Sequence, residues 1–594
     1  MSVGKRRLLL VGWEVGDWEI LHPLMDAGRM TALQSLVENG ASGHLAPSPP
    51  AFSAAAWTGI ATGTRAWRHQ VCLPFERQDS GPVPVGAGSR AAGAIWEVAS
   101  NLGRPAVVVG WPATHGGAFR GVSVSDRFPV PTAPPGRPWP GAAAETYHPP
   151  GISPRLDALR VRPEEIEPAM IGRFVPAWRE INQSRDPILA KLRLLLAADA
   201  SMQAAATSLL SSEPWDFAAV RFPGIGMICD LVGRHPLHNG QTPEIFREVV
   251  PAAFGMLDAM LARLVDLAGP EAAVALVSSG GVDARNAGIL AIAGPGIVSD
   301  TLVHGARAID VAPTLLAWLG IPPGDDVEGR VLDDCFPETP VVPACPRGEP
   351  GGGDSGRPWE VLQQRLSPEE HRNFEWNRVQ SLREAGRSAE ALAALEGLAR
   401  GFPEYPPFVE ALLQTQLALG RLEDAREWIE VAEEMLPPFF SRLCRAELAW
   451  ANGETDVARR CVRELLEFPA RSSAAWHRVG MLLVALREWE ALEKCARVVL
   501  EQGDDEVAWL GLAESLLRRR DFQGASKAAQ RAIGIRYAFP EAHLALARAF
   551  AAQGMLRVAI EALDRLLLIQ PGDDLARAYR KRLVRTSGVE RSEA

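Results

Sequence analysis

Six positions in the last third of the chain recur at a nearly constant step. Gly386, Gly420, Gly453, Arg487, Arg520 and Gly554 are separated by 33 or 34 residues. Five residues after most of them stands a small residue: Ala391, Ala425, Ala458, Ala525 and Ala559. Pro403, Pro437 and Pro571 follow three of them at seventeen residues, and Trp476 and Trp509 precede two of them at eleven. A period of this length marks one supersecondary unit repeated along the chain. Each unit buries its apolar face only against its neighbours, so residues 365–585 must stack into an all-α solenoid of about six paired helices. An irregular helical bundle would not keep the period. Residues 586–594 form a tail.

Paired helices of 34 residues, with a small residue where they touch and proline at the exit, resemble the tetratricopeptide repeat. The fourth and fifth units lack the turn glycine. The resemblance implies a concave groove for a protein or peptide partner. Gln380, Gln414, Glu447, Glu514 and Arg548 occupy the same step in five units and are the expected partner-groove residues; the plain alternative is solvated helix surface.

At 594 residues the chain exceeds one core, so several domains are expected. A net charge of −10 argues against non-specific nucleic-acid or anionic-membrane binding. The run after Lys5, Arg6 and Arg7 is too short to span a bilayer, and no other segment reaches about 18 uninterrupted apolar residues, so no membrane span is expected. Seven cysteines without a CxxC pair indicate neither a disulfide framework nor a zinc knuckle. The expected location is the cytoplasm. Residues 336–364, dense in Pro and Gly, read as a linker.

Residues 1–335 alternate buried-strand runs with amphipathic stretches, which argues for an α/β sandwich around a mostly parallel sheet. Arg7–Gly12, Ala106–Trp111, Phe217–Phe222, Ala273–Ser278 and Gly288–Ala293 read as strands; Glu19–Glu38, Ala92–Leu102 and Ile245–Leu267 read as helices. An acid just past the first strand sits at the sheet edge where such folds place their sites. Glu14 is the better ligand candidate there, and Asp17 reads as a helix N-cap. Ser53 opens the segment Ser53-Ala54-Ala55-Ala56-Trp57-Thr58-Gly59, where a hydroxyl and the first amides of a helix can hold a phosphate.

These segments, with Val109-Gly110-Trp111-Pro112, Gly121-Val122-Ser123-Val124-Ser125-Asp126, Gly294-Pro295-Gly296 and Asp310-Val311-Ala312-Pro313-Thr314, resemble the type I phosphodiesterase/nucleotide pyrophosphatase branch of the alkaline phosphatase superfamily. Bacterial members of this branch fused to tetratricopeptide repeats look similar in layout. The resemblance implies an alkaline-phosphatase-like sandwich with two divalent metals, usually zinc, held by three Asp and three His around a Ser or Thr nucleophile. The metals would bind the nucleophile oxygen and stabilise charge developing on phosphate. Carried over, the first Asp falls at Glu14 and the nucleophile at Ser53. The Asp-His pair of the late strand falls at Ser279-Gly280, the final His near Ala284, and the Asp-x-x-x-His pair at Gly226 and Asp230. Five ligand positions thus lack the family residue. A register one residue longer would bring in Asp230 and His235, with His238 and Asp283 close by; loop surface is the plainer reading of all four.

The expected function is a pseudoenzyme scaffold with no cofactor, recruiting a protein through the repeats. The alternative is a metal-dependent phosphoric ester hydrolase with Ser53 as nucleophile and an altered zinc or other divalent-metal site. A third reading keeps the pocket as a non-hydrolytic binder of a phosphorylated or sulfated ligand. A serine triad from Ser53 and His69 has nothing in the sequence to place the two together.

Overall fold

The computed structural model describes residues 6–78, 81–130, 141–233, 243–282, 287–338, 366–402, 405–468, 473–501, 505–536, 539–570 and 573–587. The chain forms two compact units, Met1–Glu384 and Ala385–Ala594.

The first unit is built on strands β1 (Arg7–Trp13), β2 (Gly40–Ala46), β3 (Phe75–Gln78), β4 (Gly81–Pro84), β5 (Ala106–Val109), β6 (Gly121–Val124), β7 (Tyr147–His148), β8 (Phe217–Phe222), β9 (Ala272–Ser278), β10 (Gly288–Ala293) and β11 (Thr301–Arg307). Nine of them form one sheet in the order β11-β2-β10-β9-β1-β8-β5-β6-β7, and β3 and β4 make a separate hairpin. Within the large sheet only β10 and β7 run against the rest.

The central strand β1 shows why the sheet is covered on both faces. Leu9, Val11 and Trp13 pack with Met202 and Phe254 on one side, whereas Leu8 and Leu10 pack with Trp57, Ile60 and Leu315 on the other. Alternation along a strand sends these two sets to opposite faces, and a run apolar on both must be buried twice. The helix Ile188–Ser212 is the one described helix long and apolar enough to cross a membrane. Here it lies in the domain core, with Leu189, Leu192, Leu196, Met202 and Leu209 buried.

The segment expected as one helix over Glu19–Glu38 is two, Trp18–Asp26 and Thr31–Glu38. Gly28 turns with φ +68° between them. The second helix has no capping side chain of its own; Asp258, from the helix Val249–Ala268, accepts from the N–H groups of Ala32 and Leu33 instead. An apolar periodicity cannot register that break, because the capping group comes from over 200 residues away.

The helix Pro368–Glu384 belongs to the first unit, although composition groups it with the repeats. Arg77 bonds Glu370 through two nitrogens, Asn377 donates to the carbonyl of Cys72 (2.8 Å), and the Ser381 hydroxyl accepts from Trp67 N–H (3.1 Å).

The second unit contains twelve helices among its described residues, from Ser388–Gly401 to Asp574–Ser587. Ala391, Ala425, Ala458, Ala525 and Ala559 are fully buried where paired helices touch. Pro403 and Pro571 lie outside the described residues. All six periodic turn positions have φ between +60° and +80°, including Arg487 and Arg520. A side chain is strained in that left-handed region. Both arginines are exposed, so Arg487→Gly and Arg520→Gly are each expected to stabilise the array by about 0.5–1 kcal/mol, read as a higher thermal midpoint.

Candidate functional site

Strand register builds the site. β1 lies between β8 and β9, with Gly12 opposite Arg221 and Trp13 opposite Ser278. The C-terminal ends of three parallel strands therefore deliver Glu14, Arg221 and Ser279 to one edge of the sheet. The helix Ser53–Thr62 begins at the same place, with Phe52 in extended conformation ahead of it.

Arg221 is the centre of the cluster. It is 5% exposed, and its Nη2 donates both to Glu14 Oε2 and to Ser53 Oγ, the latter at 3.1 Å. Its Nη1 donates to the carbonyl of Gly110 (3.3 Å), and the guanidinium lies 5.2 Å from the centre of the Trp57 ring. Trp57 Nε1 donates to the same Glu14 oxygen at 2.9 Å. Ser279 Oγ donates to the backbone carbonyl of Glu14 at 2.8 Å, which fixes the strand end.

Two further buried acids feel the charge of Arg221. Asp199, from the helix Ile188–Ser212, accepts from Gly224 N–H at 2.9 Å; burial pushes its carboxyl up to about 7. Asp126 is also raised by burial, with Arg221 and Arg127 opposing the shift, and its Oδ1 is buried without a hydrogen-bond partner among the described residues. Low dielectric disfavours the ionised form of both carboxyls.

Asp17 caps the helix Trp18–Asp26 by accepting from Glu19 N–H at 3.0 Å. Asp230 lies one turn beyond Gly226 and lines a cavity of about 1000 Å³ with Lys191, Met227, Leu231 and Phe246, none of which belongs to the Glu14–Ser53–Arg221 cluster. His235, His238, Asp283 and Ala284 lie outside the described residues. His69 is fully buried with its pKa lowered to about 3, first by burial and then by Arg90; its Nδ1 accepts from Val71 N–H at 3.2 Å. Ser53 is bonded to Arg221 and not to His69, so the structure joins no serine triad here.

A two-metal donor set does not fit these residues. Gly280 has no side chain, and the hydroxyl of Ser279 is committed to Glu14. A Cβ added at Gly226 would stand 2.8 Å from Glu14 Cγ, and one at Gly224 would stand 2.3 Å from an oxygen of Asp199. A ligand side chain at either position would have to displace the neighbouring carboxylate residue. No histidine among the described residues bonds to Glu14, Ser53 or Arg221. Zinc generally needs three protein ligands, with nitrogen or sulfur among them.

Arg221 went unremarked in the sequence, where Phe217–Phe222 reads simply as a buried strand. Its signal was available: a charge inside such a strand must be paired.

In the repeats, Glu447 is ion-paired with Arg478, which also bonds Glu410 two helix pairs away (2.7 Å to each). Burial raises Glu410, and its two acids hold Arg478 firmly charged. Glu514 bonds Arg548 at 2.6 Å, and Gln414 is half-buried. Gln380 stands apart from these, on the helix that belongs to the first unit.

An acid past the first strand and a serine at a facing helix start, on a mixed sheet between two helical layers, define an alkaline-phosphatase-like domain; here it is followed by helical repeats. Residues 8–289 match the model of the type I phosphodiesterase/nucleotide pyrophosphatase family, and residues 377–438 and 510–574 match the tetratricopeptide repeat. No curated protein matches it. Among solved structures it is similar to a 2-O GAG sulfatase (14% identity, 57% of this chain and 75% of that one, TM-score 0.37). It is also similar to human ectonucleotide pyrophosphatase/phosphodiesterase 5 (10% identity, 56% and 100%, TM-score 0.35). The repeats are similar to the Cut9–Hcn1 hetero-tetramer of APC/C (12% identity, TM-score 0.33), covering 38% of this chain and under half, 45%, of that one.

Proposed function

We propose that this chain is a non-catalytic scaffold: a phosphodiesterase-fold domain whose two-metal site is lost, joined to a repeat array that binds a protein or peptide segment. The observation that carries the reading is Arg221, whose Nη2 bonds both the acid at the first ligand position and the serine at the nucleophile position. A guanidinium there repels a divalent cation, and one oxygen of Glu14, Oε2, already accepts from both Arg221 and Trp57. Ser279 and Gly280 contribute no carboxylate or imidazole to repair the set.

A non-hydrolytic anion pocket is less well supported. Glu14 already balances Arg221, and Asp126 and Asp199 stand close enough to feel its charge, so a phosphate or sulfate would meet more carboxyl than guanidinium. The hydrolase reading keeps one observation in its favour, the partly exposed Ser53 at a helix start. A cytoplasmic location accords with the six free cysteines among the described residues, since reducing compartments keep thiols unpaired.

Metal content decides between scaffold and hydrolase. After equilibration of the full-length protein with zinc and manganese and removal of excess, well under one metal per chain is expected, with no phosphodiester hydrolysis above that of Ser53→Ala. Two bound metals, or hydrolysis that Ser53→Ala abolishes, would sink the scaffold reading.

A further inference from the structure

We infer that the junction between two neighbouring repeats is a proton-controlled clasp. The charged ring of His477, on the helix Ser473–Leu486, holds two carboxylates at the start of the helix Glu506–Arg518, and loss of its proton loosens that helix start. The inference goes beyond the scaffold reading and does not depend on what the first domain does.

The two helices hold equivalent places in successive repeats, each running into one of the periodic turns, at Arg487 and Arg520. They approach closely: a Cβ added at Gly480, one turn beyond His477, would stand 2.8 Å from Val507 Cγ1. His477 is thereby set against the first residues of its neighbour. Its Nδ1 lies 2.8 Å from Asp505 Oδ2, and its Nε2 lies 3.9 Å from Glu506 Oε1. The side chains of His477, Asp505 and Glu506 are 27%, 11% and 17% exposed, so water screens the cluster weakly. Asp505 has a second task, because its Oδ1 caps the same helix by accepting from Ala508 N–H at 2.8 Å. The clasp therefore acts on the helix start itself, and stacked repeats draw their stability from such neighbour contacts.

A ring with an acid on each side is matched only in its charged form, where both nitrogens carry a proton. The neutral ring can keep its Nδ1–H on Asp505, but it then turns a lone pair toward the Glu506 carboxylate. Burial works to lower the imidazole; the hydrogen bond and charge of Asp505, then the charge of Glu506, outweigh it against Arg536, and His477 titrates above its ordinary 6.5. The folded chain thus keeps this proton to higher pH than the unfolded chain. The contribution is complete below about pH 6.5 and is lost as pH rises through the folded value.

The neighbouring charges are otherwise engaged. Arg536, at the end of the helix Phe522–Ile535, comes to 3.6 Å from Glu506 Oε1 and rests its guanidinium on Phe539. Arg478, next to His477, is held by Glu410 and Glu447. Arg459 and Glu464, on the helix Thr455–Leu465, pair with Glu488 and Arg442. Cys444 of the helix Pro438–Ala451 and Cys495 of the helix Trp489–Leu500 are pushed up to about 12, by burial first, and stay thiols. Among these groups the His477 ring is the one whose charge changes near neutral pH.

The experiment is hydrogen exchange read by mass spectrometry on full-length wild type, His477→Gln and Glu506→Gln, near pH 6 and pH 8, with rates corrected for intrinsic exchange. In wild type, protection of the first turns of Glu506–Arg518 is expected to fall roughly threefold from pH 6 to pH 8. The helix Ser388–Gly401 should show no such fall. His477→Gln should be flat, at the lower wild-type level at both pH values. Glu506→Gln, which leaves the Asp505 cap in place, should keep only part of the fall and move its midpoint to lower pH. A flat wild type overturns the inference, and so does a fall that survives in His477→Gln. Should His477→Gln not fold by circular dichroism, Glu506→Gln decides: a reduced and shifted fall supports the clasp, and the unchanged wild-type profile overturns it.

Discussion

Replacing Arg221 with methionine, in the presence of chelator, is expected to lower the unfolding free energy of the first domain by about 3–5 kcal/mol. Methionine fills similar volume, so the loss comes from charge and not from a cavity. Glu14 would be left with the Trp57 N–H as its one remaining side-chain donor, in a site where Arg221 is 5% exposed. An uncompensated carboxylate in such a place costs far more than the intact pair contributes. Glu14→Gln alone strands the guanidinium in the same way, while the double variant Arg221→Met/Glu14→Gln removes both charges. The double variant should therefore lie well above the sum of the two single losses, with a coupling of at least about 1.5 kcal/mol. Urea unfolding of the full-length protein, followed through the tryptophans of the first domain, measures it. A coupling near zero would mean that the pair is not the organising contact of the pocket.

The second large effect is a pH dependence carried by Asp199. Its carboxyl titrates near 3.8 when exposed and at about 7 in the fold, where burial disfavours the anion. The unfolded chain therefore ionises first. The contribution of this group to stability is full below about pH 4, declines as pH rises toward 7, and is lost above it. A shift of about three pH units corresponds to about 4 kcal/mol at most. Asp199→Asn keeps an oxygen to accept from Gly224 N–H and has no charge to lose. At pH 8 the variant is expected to be more stable than wild type by about 2–4 kcal/mol, and at about pH 3.5 close to equal. Denaturation midpoints across that range test it; a variant less stable than wild type at pH 8 would show that the ionised carboxylate is paired inside the fold.

The fold was largely legible in the chain. Phe217–Phe222 and Gly288–Ala293 are strands at their expected bounds, because runs apolar on both faces suit only a covered sheet. Strand β2, Gly40–Ala46, carried no such signal. Its Gly40 and Gly43 lie where a Cβ would meet the carbonyls of Ile292 and Val303 at 2.1 and 2.2 Å, so neighbouring backbones and not side-chain propensity demand those residues. The break between Trp18–Asp26 and Thr31–Glu38 was hidden for a related reason, since Asp258 supplies the cap from afar.

The candidate site was legible only in outline. Glu14 and Ser53 stood out because each sits at the end of a recognisable element. Their partner did not, because Arg221 comes between apolar residues of a strand more than 160 residues from either in sequence. By itself the sequence determined the layered sheet, the 34-residue period and the absence of acid and imidazole at Ser279 and Gly280, because periodicity and residue type are local properties. Only the tertiary structure decided what stands in the pocket. Strand register, a long-range property, brings the guanidinium beside Glu14, and the low dielectric there makes that one charge govern the rest.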